Sequence, residues 1–327
     1  MMKNNELKSL ASNLPSGTRI VGKWHKQRYR IIRKIGSGAT GTVYLAESIH
    51  GNVAVKVADS HYAITSEVNV LRHFQKVQGE RLGPSLLDVD DFVTSRGTIP
   101  FYTMEYVRGT NIVQFMAAKG EEWLGLLIVQ LLGDLDRLHQ AGWAFGDLKP
   151  DNLLVTGPPV RIRWLDVGGT TLLGRSIKEF TEFYDRGYWG LGTRVAEPSY
   201  DLFAVAMIML HCYDRKHFGK KEDKPLQQMK RKMDSIPQLK PFRPIMLRAL
   251  QSKYETAHQM REDMIQALNH AGKETTSSVK TRSSRAAKRA SKNDRRNEKK
   301  SSYFVEIFLI ASFLLFLSIL YLFGQIM

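Results

Sequence analysis

Asp147, Lys149 and Asn152 stand in the stretch FGDLKPDN, residues 145–152, and Asp166 follows in DVGG. A carboxylate and an amide five residues apart on one loop can reach a substrate hydroxyl and a metal ion together. Asp166 adds a second hard oxygen ligand, the kind that suits Mg²⁺. Upstream, Gly36, Gly38 and Gly41 form G-x-G-x-x-G, followed by Val43. Glycine lets a backbone approach phosphate oxygens without a Cβ in the way. Lys56 in VAVK can hold nucleotide phosphates from a strand beneath that loop, if a carboxylate orients it. Glu67 is the only acidic residue between Asp59 and Glu80, so it is the partner if Lys56 has one on that segment. Taken singly, Lys56 and Glu67 would be surface charges and the glycines a hairpin turn. What the set has in common is the handling of phosphate.

The elements that must carry these groups follow from periodicity. Dinucleotide-binding folds share the glycine spacing but place it between a strand and a helix. Here TVYLAES after Gly41 is strand-like. YRIIRKIGSGATGTVYLAES reads as strand, glycine-rich turn and strand, with Ile31, Ile32, Ile35, Thr42 and Val43 flanking the turn. NVAVKVAD predicts a third strand and TIPFYTMEYV another. In ITSEVNVLRHF, Ile64, Val68 and Leu71 have helical spacing. A helical period runs from Glu121 to His139 and stops at Gly142. NLLVTGPPVRIRWLDV predicts two short strands around a turn at Gly157, Pro158 and Pro159. The apolar run from Asp201 to Tyr213 predicts a buried helix. Residues 222–271 alternate proline-containing turns with helical pieces, the last over about 252–270. Residues 1–25 are polar and read as a loose N-terminal extension. Strands first and helices later predict a two-lobed α+β domain over 26–271, with an N-lobe of about 26–107 and a C-lobe of about 108–271.

With the motifs in this order, the chain resembles the eukaryotic-like (Hanks-type) serine/threonine protein kinases, of the kind that spore-forming bacilli anchor in their membranes. The resemblance implies ATP and Mg²⁺ as cofactors, with Mn²⁺ as an alternative, and Ser/Thr-containing proteins as substrates. It implies that Asp147 accepts the substrate proton and that Lys149 steadies the transferring phosphoryl. Lys56 would be oriented by Glu67, and Asn152 and Asp166 would hold the metal. ATP would lie against Gly36, Ser37, Gly38, Ala39, Thr40, Gly41, Val43 and Lys56. Met104 would be the gatekeeper, and Glu105 to Val107 the hinge to adenine. Asp201 would tie the catalytic loop to the central helix. Lys149 two residues after Asp147, with Thr193 in GTR as the threonine of the substrate-docking loop, fits the serine/threonine pattern.

Two departures stand out. Phe145 and Gly146 replace the His and Arg of the family's H-R-D. By the resemblance, Phe145 would pack against Val167, while Gly146 cannot bind a phosphorylated activation loop. This argues against strict activation by loop phosphorylation and not against catalysis. The second departure is VAEPSYD, where A-E-P replaces A-P-E and runs straight into the helix at Asp201. It implies a shortened docking platform and keeps a small-molecule kinase open as an alternative, beside an ATP-binding pseudokinase scaffold. Autophosphorylation, by self-association in trans, would fall on Thr170, Thr171, Ser176 and Thr181, or on Ser283, Ser284 and Ser291.

The net charge is +16, and half of it lies between Lys273 and Lys300. There Lys280, Arg282, Arg285, Lys288, Arg289, Lys292, Arg295, Arg296, Lys299 and Lys300 are spaced by Ser, Thr and Ala. Such a composition cannot bury enough apolar surface to fold alone, so 272–302 reads as a disordered basic linker. It is a solvated tether, or it binds polyanions without base specificity: anionic lipid, at ~1 kcal/mol per Lys or Arg near the surface, or DNA. From Ile307 to Phe323 every residue is apolar, aromatic, Ala or Ser. A membrane helix needs about 20 such residues, with ~17 as the lower limit, so 303–325 reads as one transmembrane helix. The basic linker would then stay on the cytoplasmic side, and the kinase domain with it. Cys212 is the one cysteine, which cannot form an internal disulfide and reads as a buried apolar side chain.

Overall fold

In RYRI, Tyr29 and Ile31 are buried between exposed Arg28 and Arg30, the alternation of a half-buried strand. The computed structural model, which describes residues 9–270 apart from 39, 59, 76–81, 215–217 and 222–223, builds a six-stranded sheet around it. The strands are β1 (Arg19–Val21), β2 (Arg28–Gly38), β3 (Gly41–Ser48), β4 (Gly51–Val57), β5 (Leu86–Thr94) and β6 (Gly97–Glu105), in the order β1-β2-β3-β4-β6-β5. A bridge between Gly22 and Phe92 brings the two edges together, so the sheet curls onto itself.

Residues 9–25 are therefore not loose. Ala11, Leu14 and Ile20 are buried with Tyr29, Ile31 and Tyr44. The Tyr44 hydroxyl donates to Ala11 O at 2.7 Å and accepts from Leu14 N at 3.1 Å. Strand β5 has no clear sequence signal, because LLDVDDFVT carries three aspartates. Their role is local. Both carboxylate oxygens of buried Asp90 accept backbone N–H groups, from Trp24, His25 and Asp91. Asp88 meets His25 at 2.6 Å and the Tyr29 hydroxyl at 2.9 Å. That accounts for the one His/Asp/Glu grouping compact enough to suggest a metal among the described residues.

Helix α1 (His61–Phe74) is capped by Ser60, whose hydroxyl accepts from Ala63 N. It buries Ile64, Val68, Leu71 and Phe74 in a core shared with Ala54, Tyr102 and Met104 of the sheet. The rest is mainly helical: α2 (Ile112–Lys119), α3 (Trp123–Gln140), α4 (Arg186–Trp189), α5 (Pro198–Tyr213), α6 (Pro225–Asp234), α7 (Arg243–Leu250) and α8 (257–270). Helix α5 is apolar on every side and buried throughout its middle, as such a helix must be. It packs with α3 and α7 in one core.

Among the described residues no helix is long and apolar enough to cross a membrane. The basic run 272–302 and the apolar run 303–325 lie outside the described residues, as does Ala39.

Candidate active site

Register fixes Lys56. It sits on β4 opposite Val43 of β3 and Tyr102 of β6. Its Nζ is 2.7 Å from Glu67 Oε1 and 3.6 Å from Asp166 Oδ1. The other Glu67 oxygen accepts from the Tyr102 hydroxyl at 2.7 Å. Burial alone would lower the Lys56 pKa, but Asp166 and Glu67 outweigh it and hold the ammonium above its ordinary range. The same seclusion, then the charges of Glu67 and Asp166, push the Tyr102 phenol well up. Nothing in the sequence singles out Tyr102.

The hairpin of β2 and β3 carries the glycines. Gly41 has φ +149°, and a Cβ there would lie 2.4 Å from Val57 O. The fold itself demands glycine at 41. Gly38 has no protein atom within 4 Å of an added Cβ, and Gly36 only the Val43 side chain at 4.0 Å. Their lack of a side chain is not a demand of chain packing. At the end of β6, where the hinge is expected, Glu105 N bonds Ser85 O, while its carboxylate accepts from Ser85 and from Arg163 at 3.0 Å. Burial raises the Glu105 pKa, but Arg163 and Ser85 more than offset this and leave it lowered. Met104 and Val107 are buried beside it.

Asp201 near the start of α5 organises the loop that begins at Phe145. Its fully buried carboxylate accepts from Phe145 N at 2.7 Å and Gly146 N at 2.9 Å, and meets His139 Nε2 at 2.9 Å. Gly146 is left-handed, with φ +85°. Phe145 sets its ring edge-to-face on Trp164 at 5.0 Å, in the core that also holds Val167. The ring's aromatic partner is Trp164, which the sequence does not indicate.

Beyond Gly146, Asp147 Oδ2 is 2.5 Å from Lys149 Nζ. The Thr181 hydroxyl donates to Asp147 Oδ1 at 3.1 Å and accepts from Lys149 Nζ at 3.1 Å. Asn152 Nδ2 donates to Asp147 O at 2.9 Å, which leaves its Oδ1 for another partner. Leu165 N bonds Asn152 O, so Asn152 and Asp166 are held side by side. The Asp166 side chain is 44% exposed and opens to the cleft. Hard oxygens of this kind fit Mg²⁺.

Thr193 is not where the sequence suggested. It is exposed, and its carbonyl accepts from Arg186 Nε. Thr181, rather than Thr193, is the threonine bonded to Asp147 and Lys149. The docking platform is accordingly not shortened at A-E-P: residues 182–197 separate Thr181 from α5 and fold tightly. Buried Arg186 pairs with Glu197 at 2.6 Å and bonds Ser199. Buried Asp185 pairs with Arg194 at 2.7 Å and accepts from the Tyr200 hydroxyl at 2.9 Å. Thr170 and Thr171 are buried, which removes them as accessible phosphorylation sites in this conformation, whereas Ser176 is exposed. Glu179 is a further carboxylate that sequence reasoning passes over. Burial, then the nearby charges of Asp166, Asp147 and Glu67, raise its pKa against the pull of Lys56.

Residues 29–279 match the family model described as the protein kinase domain. The chain is 52% identical over 268 residues to serine/threonine-protein kinase YabT of Bacillus subtilis, covering 81% of this chain and 79% of that protein. It is 31% identical over 147 residues to serine/threonine-protein kinase PrkC of the same organism, covering 42% of this chain and 22% of PrkC. To pkn3 of Myxococcus xanthus it is 28% identical over 163 residues, covering 47% and 30%.

Proposed function

The chain belongs to the protein kinase family, and from that premise we propose that it transfers the γ-phosphoryl group of ATP to Ser and Thr hydroxyls of proteins. The observation that carries this reading is an assembled cleft despite the changes at 145 and 146. Lys56 is paired with Glu67, and Asp147 with Lys149 and Thr181. Lys56 positions the phosphates, reached beneath Gly36 to Gly41, and the hinge at Glu105 to Val107 takes the adenine. Asp147 accepts the substrate hydroxyl proton, and Lys149, beside it, neutralises charge on the phosphoryl group in transit. Asn152 and Asp166 would hold Mg²⁺, which would supply positive charge to the phosphate oxygens. The spacing of Lys149 from Asp147 supports Ser/Thr acceptors. Ser176, exposed on the activation segment, and Ser283, Ser284 and Ser291 of the linker are the autophosphorylation sites this reading favours.

The reading extends to location. The apolar run 303–325 anchors the chain in the membrane, with the kinase domain cytoplasmic. The basic linker, through Lys280 to Lys300, binds duplex DNA or anionic lipid and gathers copies for phosphorylation in trans. Composition alone supports both statements.

Incubating the full-length protein, recovered from membranes, with labelled ATP and Mg²⁺ tests the whole reading. Label is expected on Ser and Thr, absent in Lys56→Ala, and increased by duplex DNA or anionic vesicles in a salt-sensitive way. A protein that binds ATP but transfers nothing with any of these additions is a scaffold instead.

Thr181→Ala should lower kcat on a peptide substrate about tenfold or more, because a hydrogen bond to a charged group contributes ~1.5–3 kcal/mol. Thr181→Ser should restore most of it, and Thr193→Ala should leave kcat unchanged. Equal losses in the two alanine variants would contradict the placement of Thr181.

A further inference from the structure

Lys56 on β4 and Tyr102 on β6 are direct cross-strand partners, and both side chains reach Glu67 of α1. Opposed residues on one face of a sheet lie side by side, so the Glu67 carboxylate is shared between them. Its Oε1 takes the Lys56 ammonium at 2.7 Å, and its Oε2 takes the Tyr102 hydroxyl at 2.7 Å. The second is as short as a charge-assisted O–H···O⁻ bond should be. Lys56, Glu67 and Tyr102 are all buried. A buried carboxylate needs donors from the protein, because little water reaches it. Lys56 serves one oxygen and Tyr102 the other. The Tyr102 ring lies in the core that also holds Ile64, Val68 and Leu71 of α1. Ring and hydroxyl therefore have separate roles. The ring fills space, and the hydroxyl sets the direction in which Glu67 points.

We propose that Tyr102 is a positioning residue of the phosphate site. Its hydroxyl keeps Glu67 turned toward Lys56, and so keeps Lys56 aimed at the nucleotide phosphates and α1 drawn in against the sheet. The aim at phosphates rests on the kinase reading above; the tie between Tyr102 and Glu67 does not. A phenylalanine at 102 would keep the ring and leave Oε2 of a buried carboxylate without a donor, which is costly. The carboxylate would then turn, or carry α1 away from the sheet. Lys56 would be left to Asp166, whose Oδ1 is already 3.6 Å away.

The test uses the full-length protein and its Tyr102→Phe, Glu67→Ala, doubly substituted and Tyr44→Phe variants. Tyr44 is the control. It is a buried tyrosine of the same sheet, in the other core, and its hydroxyl bonds Ala11 O and Leu14 N. Tyr102→Phe should lower kcat/KM for ATP about tenfold or more, ~1.4 kcal/mol, and should speed amide hydrogen exchange over residues 61–74. In the Glu67→Ala background the same change should alter either quantity less than about twofold, since the oxygen it served is gone. Tyr44→Phe should lower the melting temperature and leave kcat/KM as it was. Equal effects with and without Glu67 overturn the proposal and leave Tyr102 a packing residue, as does an equal loss of kcat/KM in Tyr44→Phe. Unchanged kcat/KM or unchanged exchange in Tyr102→Phe overturns it too. If the exchange results hold in a protein that transfers no phosphate, the kinase reading has failed and the tie between Tyr102 and Glu67 stands.

Discussion

Asp147→Asn is expected to reduce phosphotransfer by about 10²- to 10⁴-fold, the range for losing a positioned general base, while ATP affinity changes less than about twofold. The substitution keeps size and shape, so Thr181 can still donate to the remaining oxygen. It removes the negative charge beside Lys149 Nζ and the site that takes the proton. Lys56, Glu67 and the hinge are untouched, and they are the groups proposed to hold the nucleotide. Single-turnover assays with saturating ATP, together with calorimetric nucleotide binding, separate the two quantities. Activity above a tenth of wild type would remove Asp147 from its assigned role. A parallel collapse of ATP binding would show instead that the loop had lost its fold.

How much of this site can be read without coordinates depends on the range of each contact. Lys56 and Glu67 pair by elimination, since Glu67 is the sole acid on its segment. Asp201 is placed by its resemblance to a family aspartate, and its three bonds to the loop region are present. Tyr102 and Trp164 are invisible in the sequence. Each lies on an ordinary-looking strand, and nothing local distinguishes a core aromatic from one that completes Glu67 or backs Phe145. Thr181 loses to Thr193 because the short motif GTR matches and FTE does not. What decides between them is the packing of Asp185 and Arg186, two buried charges that one sequence does not advertise. Strands β1 and β5 escape notice for a related reason. Their register is set by Asp88 and Asp90 reaching across to the 22–29 turn, and aspartates in a strand argue against it until their partners are known.

Restoring the family's arginine at position 146 should damage the enzyme rather than improve it. Gly146 has φ +85°, a conformation that costs other L-residues about 1–2 kcal/mol. A Cβ there would lie 2.6 Å from Gly169 O and 3.5 Å from the Ile177 side chain. The first is backbone and cannot swing aside. To admit any side chain at this position the loop must shift, and Gly146 N and Phe145 N then pull away from Asp201, whose carboxylate is fully buried. Gly146→Arg is therefore expected to cost about 1–3 kcal/mol of stability, the range for enforced backbone strain, and to lower kcat with it. Gly146→Ala should show much of the same loss, because the clash begins at Cβ. The usual reason for an arginine here is to capture a phosphate on the activation segment, and this segment has other anchors. Arg194 is paired with Asp185, Arg186 with Glu197, and Thr181 with Asp147 and Lys149, all without phosphate. Thermal melting and steady-state kinetics of the two variants check the argument. An arginine variant as stable as wild type would show that the loop relaxes around the side chain. One whose activity came to depend on phosphorylation of Ser176 would show that the anchors are not sufficient by themselves.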